Sequence, residues 1–92
     1  MKAYVVYRMM GVGYYVILAS SFEEAGEICG GRYVEDRGVK YIRLSSEVFT
    51  EPAPDGFGKI YKNKALTVHL HPGFKQVDFH IEERPLLRKI YE

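Results

Sequence analysis

The sequence has no tryptophan and a single cysteine, Cys29. One thiol cannot form an internal disulfide, so the fold does not depend on an oxidising compartment. Side-chain amides are also scarce: Asn63 and Gln76 are the only two. Scarcity of Asn, Gln and Cys is a habit of proteins from hot sources. An excess of charge is missing as well. Thirteen Lys and Arg against twelve Asp and Glu give a formal charge of +1, so bulk electrostatics makes no case for a polyanion binder. No apolar run is long enough for a membrane span. The stretch from Lys2 to Ser20 is broken by Arg8, Gly11 and Gly13, which also argues against a signal peptide. The expectation is a cytoplasmic protein with no membrane partner.

What is present reads as one globular domain over residues 1–92. Apolar residues make up 47% and charged residues 27%, the usual globular balance, which excludes a disordered chain. Lys2–Met10 and Gly13–Ser20 are rich in Val, Ile, Tyr and Met and flank Gly11-Val12, the mark of a β-hairpin. A two-residue loop there pairs Met9 with Tyr14, Tyr7 with Val16 and Val5 with Leu18. The other face then carries Tyr4 with Ala19, Val6 with Ile17 and Arg8 with Tyr15. Both faces are largely apolar. Ser21-Phe22-Glu23-Glu24 forms a capping box ahead of a short helix whose stop is Gly30-Gly31. Gly26 weakens that helix by about 1 kcal/mol relative to Ala.

Arg32–Glu35 and Val39–Ser45 flank Asp36-Arg37-Gly38, a second hairpin read as closing through a type I turn with Gly38 left-handed. Ser45–Thr50 suits either a strand extension or one helical turn, and Glu51–Gly58 is a loop by composition. Lys59–Lys62 reads as a short strand. Ala65–His71 and Lys75–Glu82 alternate most clearly, and a turn at Pro72-Gly73 would pair Val68 with Val77. Arg84–Tyr91 suits a short C-terminal helix or an edge strand. The fold class is therefore α+β. An antiparallel sheet is built from consecutive hairpins in the order β-β-α-β-β-loop-β-β-β, and one short helix packs on one face.

Four groups of residues carry candidate chemistry. Thr67, His69 and Asp78 place a hydroxyl, an imidazole and a carboxylate near one another, but on an open strand face with no oxyanion hole. His69 and His71 could pinch a metal, yet zinc needs a third ligand and His80 pairs too far along the strand. Gly11-x-Gly13 precedes a strand, so it is no dinucleotide cradle. Glu82 and Glu83 point to opposite faces. No catalytic residue, metal or cofactor is therefore assigned.

Two binding signals remain. From Gly56 to Val77 there is no acid, and Lys59, Lys62, Lys64 and Lys75 stand among Tyr61, His69 and His71. Lysines beside aromatics suit single-stranded nucleic acid. The eight tyrosines are the second signal. Tyrosine is enriched at interfaces, and Tyr4, Val6, Tyr15 and Ile17 make one apolar face of the first hairpin, with Phe57 as a further contact point. One short helix cannot cover a sheet that is apolar on both sides. The leading reading is a small non-catalytic binding module working through protein–protein contact as a homodimer, in the manner of accessory or inhibitor proteins of mobile elements. The alternative is a nucleic-acid module using Gly56–Lys75.

Overall fold

The computed structural model describes residues 1–8 and 13–85. The turn at Gly11-Val12, the partner position of Met9 and the segment from Leu86 to Tyr91 lie outside the described residues. Among the described residues, eight strands and one α-helix follow in chain order: β1 (Lys2–Tyr7), β2 (Tyr14–Ala19), α1 (Phe22–Ile28), β3 (Arg32–Asp36), β4 (Val39–Ser45), β5 (Glu51–Pro52), β6 (Lys59–Lys62), β7 (Thr67–Leu70) and β8 (Gln76–Arg84). The class is α+β, with antiparallel strands and the helix after β2 packed on the sheet. The strands form two sheets: a five-stranded one in the order β2-β1-β8-β4-β3 and a three-stranded one in the order β5-β6-β7.

The first hairpin forms with a register shifted by two residues. Tyr7 lies opposite Tyr14, Val6 opposite Tyr15 and Tyr4 opposite Ile17. An even shift leaves every side chain on its own face, so alternation alone cannot select between the two registers. The second hairpin pairs Asp36 with Val39 around a two-residue loop. Arg37 (φ 53°) and Gly38 (φ 82°) are both left-handed. That is a type I′ turn rather than type I, because the mirror-image turn matches the right-handed twist of the strands.

The third hairpin does not form. β7 pairs with β6, placing Val68 opposite Tyr61, whereas β8 inserts between β1 and β4. The Pro72-Gly73 turn is present, with Phe74 N–H donating to the His71 carbonyl and Gly73 at φ 91°. It carries the chain from one sheet to the other instead of closing a ladder. The apolar faces read for β7 and β8 are nevertheless right: Leu66, Val68, Leu70, Phe79 and Ile81 are all buried in one core. Tyr4, Val6, Ile17, Ile42, Leu44 and Phe49 complete it. The segment before β5 is a single 3-10 turn, Ser46–Val48, capped by the Ser45 hydroxyl, which accepts from Glu47 N–H.

The helix starts where its caps place it. Ser21 Oγ accepts from Glu24 N–H at 3.1 Å, and the Glu24 carboxylate accepts from Ser20 N–H at 2.9 Å. Phe22 lies edge-on to Tyr4 at 4.9 Å and stacks on Tyr33 at 5.0 Å, so the helix start is pinned by rings from β1 and β3. Asn63 ties the small sheet to the helix end. Its side-chain oxygen accepts from Ala65 and Leu66 N–H, and its amide donates to the Ile28 carbonyl and to Tyr61 Oη.

Gly26 has a packing reason. A methyl group there would sit 2.7 Å from Tyr33 N and 2.9 Å from Arg32 C, both backbone atoms of β3. Close approach of α1 to β3 therefore outweighs helix propensity. Gly26→Ala is expected to lower stability, although in an open helix it would add about 1 kcal/mol. Urea unfolding followed by circular dichroism reads the sign directly.

Candidate functional site

The helix and the small sheet cover one face of the five-stranded sheet. Among the described residues nothing covers the other face, and the strand register defines what it carries. One row crosses all five strands: Tyr14, Tyr7, His80, Tyr41 and Val34. The Tyr7 ring lies 6.5 Å from Tyr14 and 6.4 Å from His80. Toward the β2 end, Val16 and Val5 stand beside Glu82, and Leu18 and Ala3 beside Arg84. Tyr14, Val16 and Leu18 are 62%, 57% and 53% exposed. These values are unusual for apolar side chains gathered on one strand.

The charges of this face balance, Arg32, Arg43 and Arg84 against Asp36, Asp78 and Glu82, and two of the three arginines are held by carboxylates. Arg43 grips Asp78 with two parallel bonds, Nε to Oδ1 at 2.9 Å and a terminal nitrogen to Oδ2 at 3.1 Å, and its guanidinium lies over the Tyr41 ring at 5.8 Å. The bonds to Asp78 raise the Arg43 pKa further. Arg84 donates to Glu82 at 2.8 Å and to Tyr7 Oη at 2.9 Å, and Tyr7 Oη–H donates to Glu82. Those two bonds to Glu82, the Tyr7 hydroxyl first, hold its carboxyl below the usual range. Arginines held by carboxylates are not available to phosphates.

The residues picked from the sequence fall elsewhere. Tyr4, Val6 and Ile17 are in the core, at 0%, 0% and 2% exposure, beneath α1. The free apolar surface of the first hairpin is thus its other face, and an aspartate at Val6 or Ile17 would enter the protein's own interior. Tyr15 is half-buried. Its hydroxyl donates to the Thr67 carbonyl at 2.7 Å, and Arg8 lies over its ring. Phe57 is 56% exposed, set edge-on to His71 at 5.8 Å, and its carbonyl contacts His69 Nε2.

The basic group is dispersed rather than gathered. Lys62 shares a face of the small sheet with Thr67 and His69. Lys59, an odd number of residues away, points to the side that carries Tyr61 and Leu70. Tyr61 packs on the core and lies edge-on to Phe49 at 6.0 Å. Lys64 is exposed beyond the end of β6, and Lys75 is exposed where β8 begins, its carbonyl accepting from Ser46 N–H.

Nor does the structure assemble a reaction centre from the polar residues. Thr67 and His69 belong to the small sheet, whereas Asp78 is held by Arg43 on the large one. His69 and His71 have ring centroids 4.6 Å apart, but no group of three or more metal-ligating side chains exists among the described residues. A cleft of about 320 Å³ opens between β7 and β8, with apolar walls from Val68, Leu70, Phe74, Val77 and Phe79. Cys29 lies in the core, and burial pushes its thiol up to about 11. A thiol so held is no nucleophile at neutral pH.

Among the described residues, no helix is long and apolar enough to cross a membrane. Comparisons with protein-family models, with curated proteins and with solved structures return no match.

Burial of Cys29 and Tyr33 sets a pH dependence. The Cys29 thiol moves from an ordinary 9.0 to about 11. The Tyr33 hydroxyl moves from 10.0 to about 12, through burial and then its hydrogen bond to Glu35. In both cases the unfolded chain ionises first. The stabilisation is thus whole below pH 9 and is lost as pH rises through the folded values. Urea unfolding from pH 8 upward should show stability falling above pH 9 and continuing to fall toward pH 11. In Cys29→Ala the first part of that fall should be shallower.

Proposed function

We propose that this chain is a small non-catalytic binding module that acts through protein–protein contact, using the open face of its five-stranded sheet. The observation that carries the reading is the row Tyr14–Tyr7–His80–Tyr41–Val34, continued at the β2 end by exposed Val16 and Leu18. Tyrosine and arginine are the residue types enriched in the energetic centres of protein interfaces. Here Tyr7, Arg84 and Arg43 are already held by hydrogen bonds to Glu82 and Asp78, and Arg43 lies over the Tyr41 ring. Less ordering free energy is then lost on binding. The balance of charge on this face, three arginines against three carboxylates, separates it from a nucleic-acid platform, which needs an excess of cations beside its rings. The contact is with a protein surface of mixed apolar and polar character, and a second copy of the chain is among the partners that suit it.

Affinity capture from extracts of the source cells tests this, using the wild type and a Tyr41→Ala/His80→Ala double variant. Both positions lie on interior strands and are partly or fully exposed, so the fold should survive. Proteins held by the wild type should be lost from the variant. Equal retention by both would remove the open face from consideration. Binding of single-stranded RNA or DNA at 50 mM salt that collapses at 200 mM would overturn the protein-contact reading itself.

A further inference from the structure

The five-stranded sheet has two edges, and they differ in kind. The β3 edge is guarded by charge: Arg32, Glu35 and Asp36 stand in the strand, and Arg37 follows it. The β2 edge, Tyr-Tyr-Val-Ile-Leu-Ala, has no charge and no proline. Strands left at an edge normally carry such residues, because unpaired backbone groups invite another strand.

Backbone parity shows which groups of β2 are free. Arg8 N–H donates to the Gly13 carbonyl at 3.4 Å, so these two residues form a hydrogen-bonded pair. In an antiparallel ladder such pairs recur at every second position. Tyr15 with Val6 and Ile17 with Tyr4 therefore direct their backbone groups toward β1. Tyr14, Val16 and Leu18 direct theirs away from it, where the described residues offer no strand. These are the same three residues whose apolar side chains stand exposed on the open face. One strand thus presents a free hydrogen-bond row and an apolar row together.

We infer that β2 pairs antiparallel with β2 of a second copy, about a two-fold axis at Val16, joining two sheets into one of ten strands. This deepens the protein-contact reading and rests on it. Parity restricts the ladder to registers that bring the outward residues together. The register centred on Val16 uses all of them: Val16 meets Val16 of the second copy, and Tyr14 meets its Leu18. Both rows then close at once, with ladder bonds in the plane of the sheet and an apolar seam on the open face. A second copy is favoured over an unrelated strand because the edge is self-complementary. It meets itself with no charge to desolvate in the seam, whereas the β3 edge would have to bring Arg32, Glu35 and Asp36 into it.

Sedimentation equilibrium tests this with three samples: the wild type, Val16→Lys, and an equimolar mixture of Val16→Lys with Val16→Glu. The chain has a mass of 10.6 kDa. The wild type should sediment at twice that mass at high micromolar concentration. Val16→Lys sets two like charges on the axis and should raise the dissociation constant about a hundredfold or more. The mixture should recover the double mass, which happens only if position 16 meets position 16. Val16 is more than half exposed, so both variants should fold, and circular dichroism confirms it. A wild type of single-chain mass, or a Val16→Lys protein that dimerises as tightly as the wild type, overturns the β2 pairing. Either result leaves the open-face reading standing, because capture by Tyr41 and His80 is measured separately.

Discussion

The insertion of β8 between β1 and β4 is the constraint on which the rest of the structure depends. Its partners lie far away in sequence: Tyr7 is opposite His80, and Arg43 is opposite Asp78. Without β8 the five-stranded sheet would fall into two separate hairpins, β1-β2 and β3-β4. Isolated two-stranded hairpins are marginal in water. With it, strict alternation serves both faces from one strand. Phe79 and Ile81 enter the core, while Asp78, His80 and Glu82 face outward. The chain between β4 and β8, residues 46–75 with the small sheet, must be spanned before these contacts form, an entropic cost that sheets of non-local pairing carry in general.

That insertion also explains why an open face with several arginines is not a basic surface. β8 brings Asp78 to Arg43, and it carries Glu82 and Arg84 itself, so each of these cations has its carboxylate within hydrogen-bond distance. Such pairs are partly exposed, and exposed pairs contribute little to stability. Their larger effect is on the character of the face. They order the Tyr7 and Tyr41 rings, through the Tyr7–Glu82–Arg84 group and through Arg43 over Tyr41, and they cancel the charge that would draw phosphates.

Local signals made much of this legible in the sequence. The Ser21 and Glu24 cap, the Gly30-Gly31 stop and the alternation of β7 and β8 all act within a few residues, and the structure keeps each of them. The pairing of β7 with β8 was misread because alternation shows which side of a strand is buried, not against what. Val68 and Leu70 do face the same core as Val77 and Phe79, but from another sheet, with the apolar-walled cleft between β7 and β8. The exposed face of the first hairpin was misjudged for a related reason. Both of its faces are apolar, and the register of β1 against β8 decides which one lies over α1. Nothing within residues 2–20 carries that information. The aromatic row could have been inferred only by setting the polar face of β8, with His80 at its centre, beside Tyr7 and Tyr41.

The fold and the aromatic row are consequently one event. The row of rings needs His80 to bridge Tyr7 to Tyr41, so it does not exist until β8 has docked. β2 has β1 as its one strand neighbour among the described residues, and β1 is held by β8 on its other side. A partly folded chain therefore presents neither the aromatic platform nor an ordered β2 edge, which limits indiscriminate strand pairing during folding. The charged β3 edge is the complement of this arrangement. Its own hairpin closes through a local type I′ turn and can form early, so an edge exposed throughout folding carries Arg32, Glu35 and Asp36. The β2 edge, beside the β1 strand that β8 holds, carries no charge.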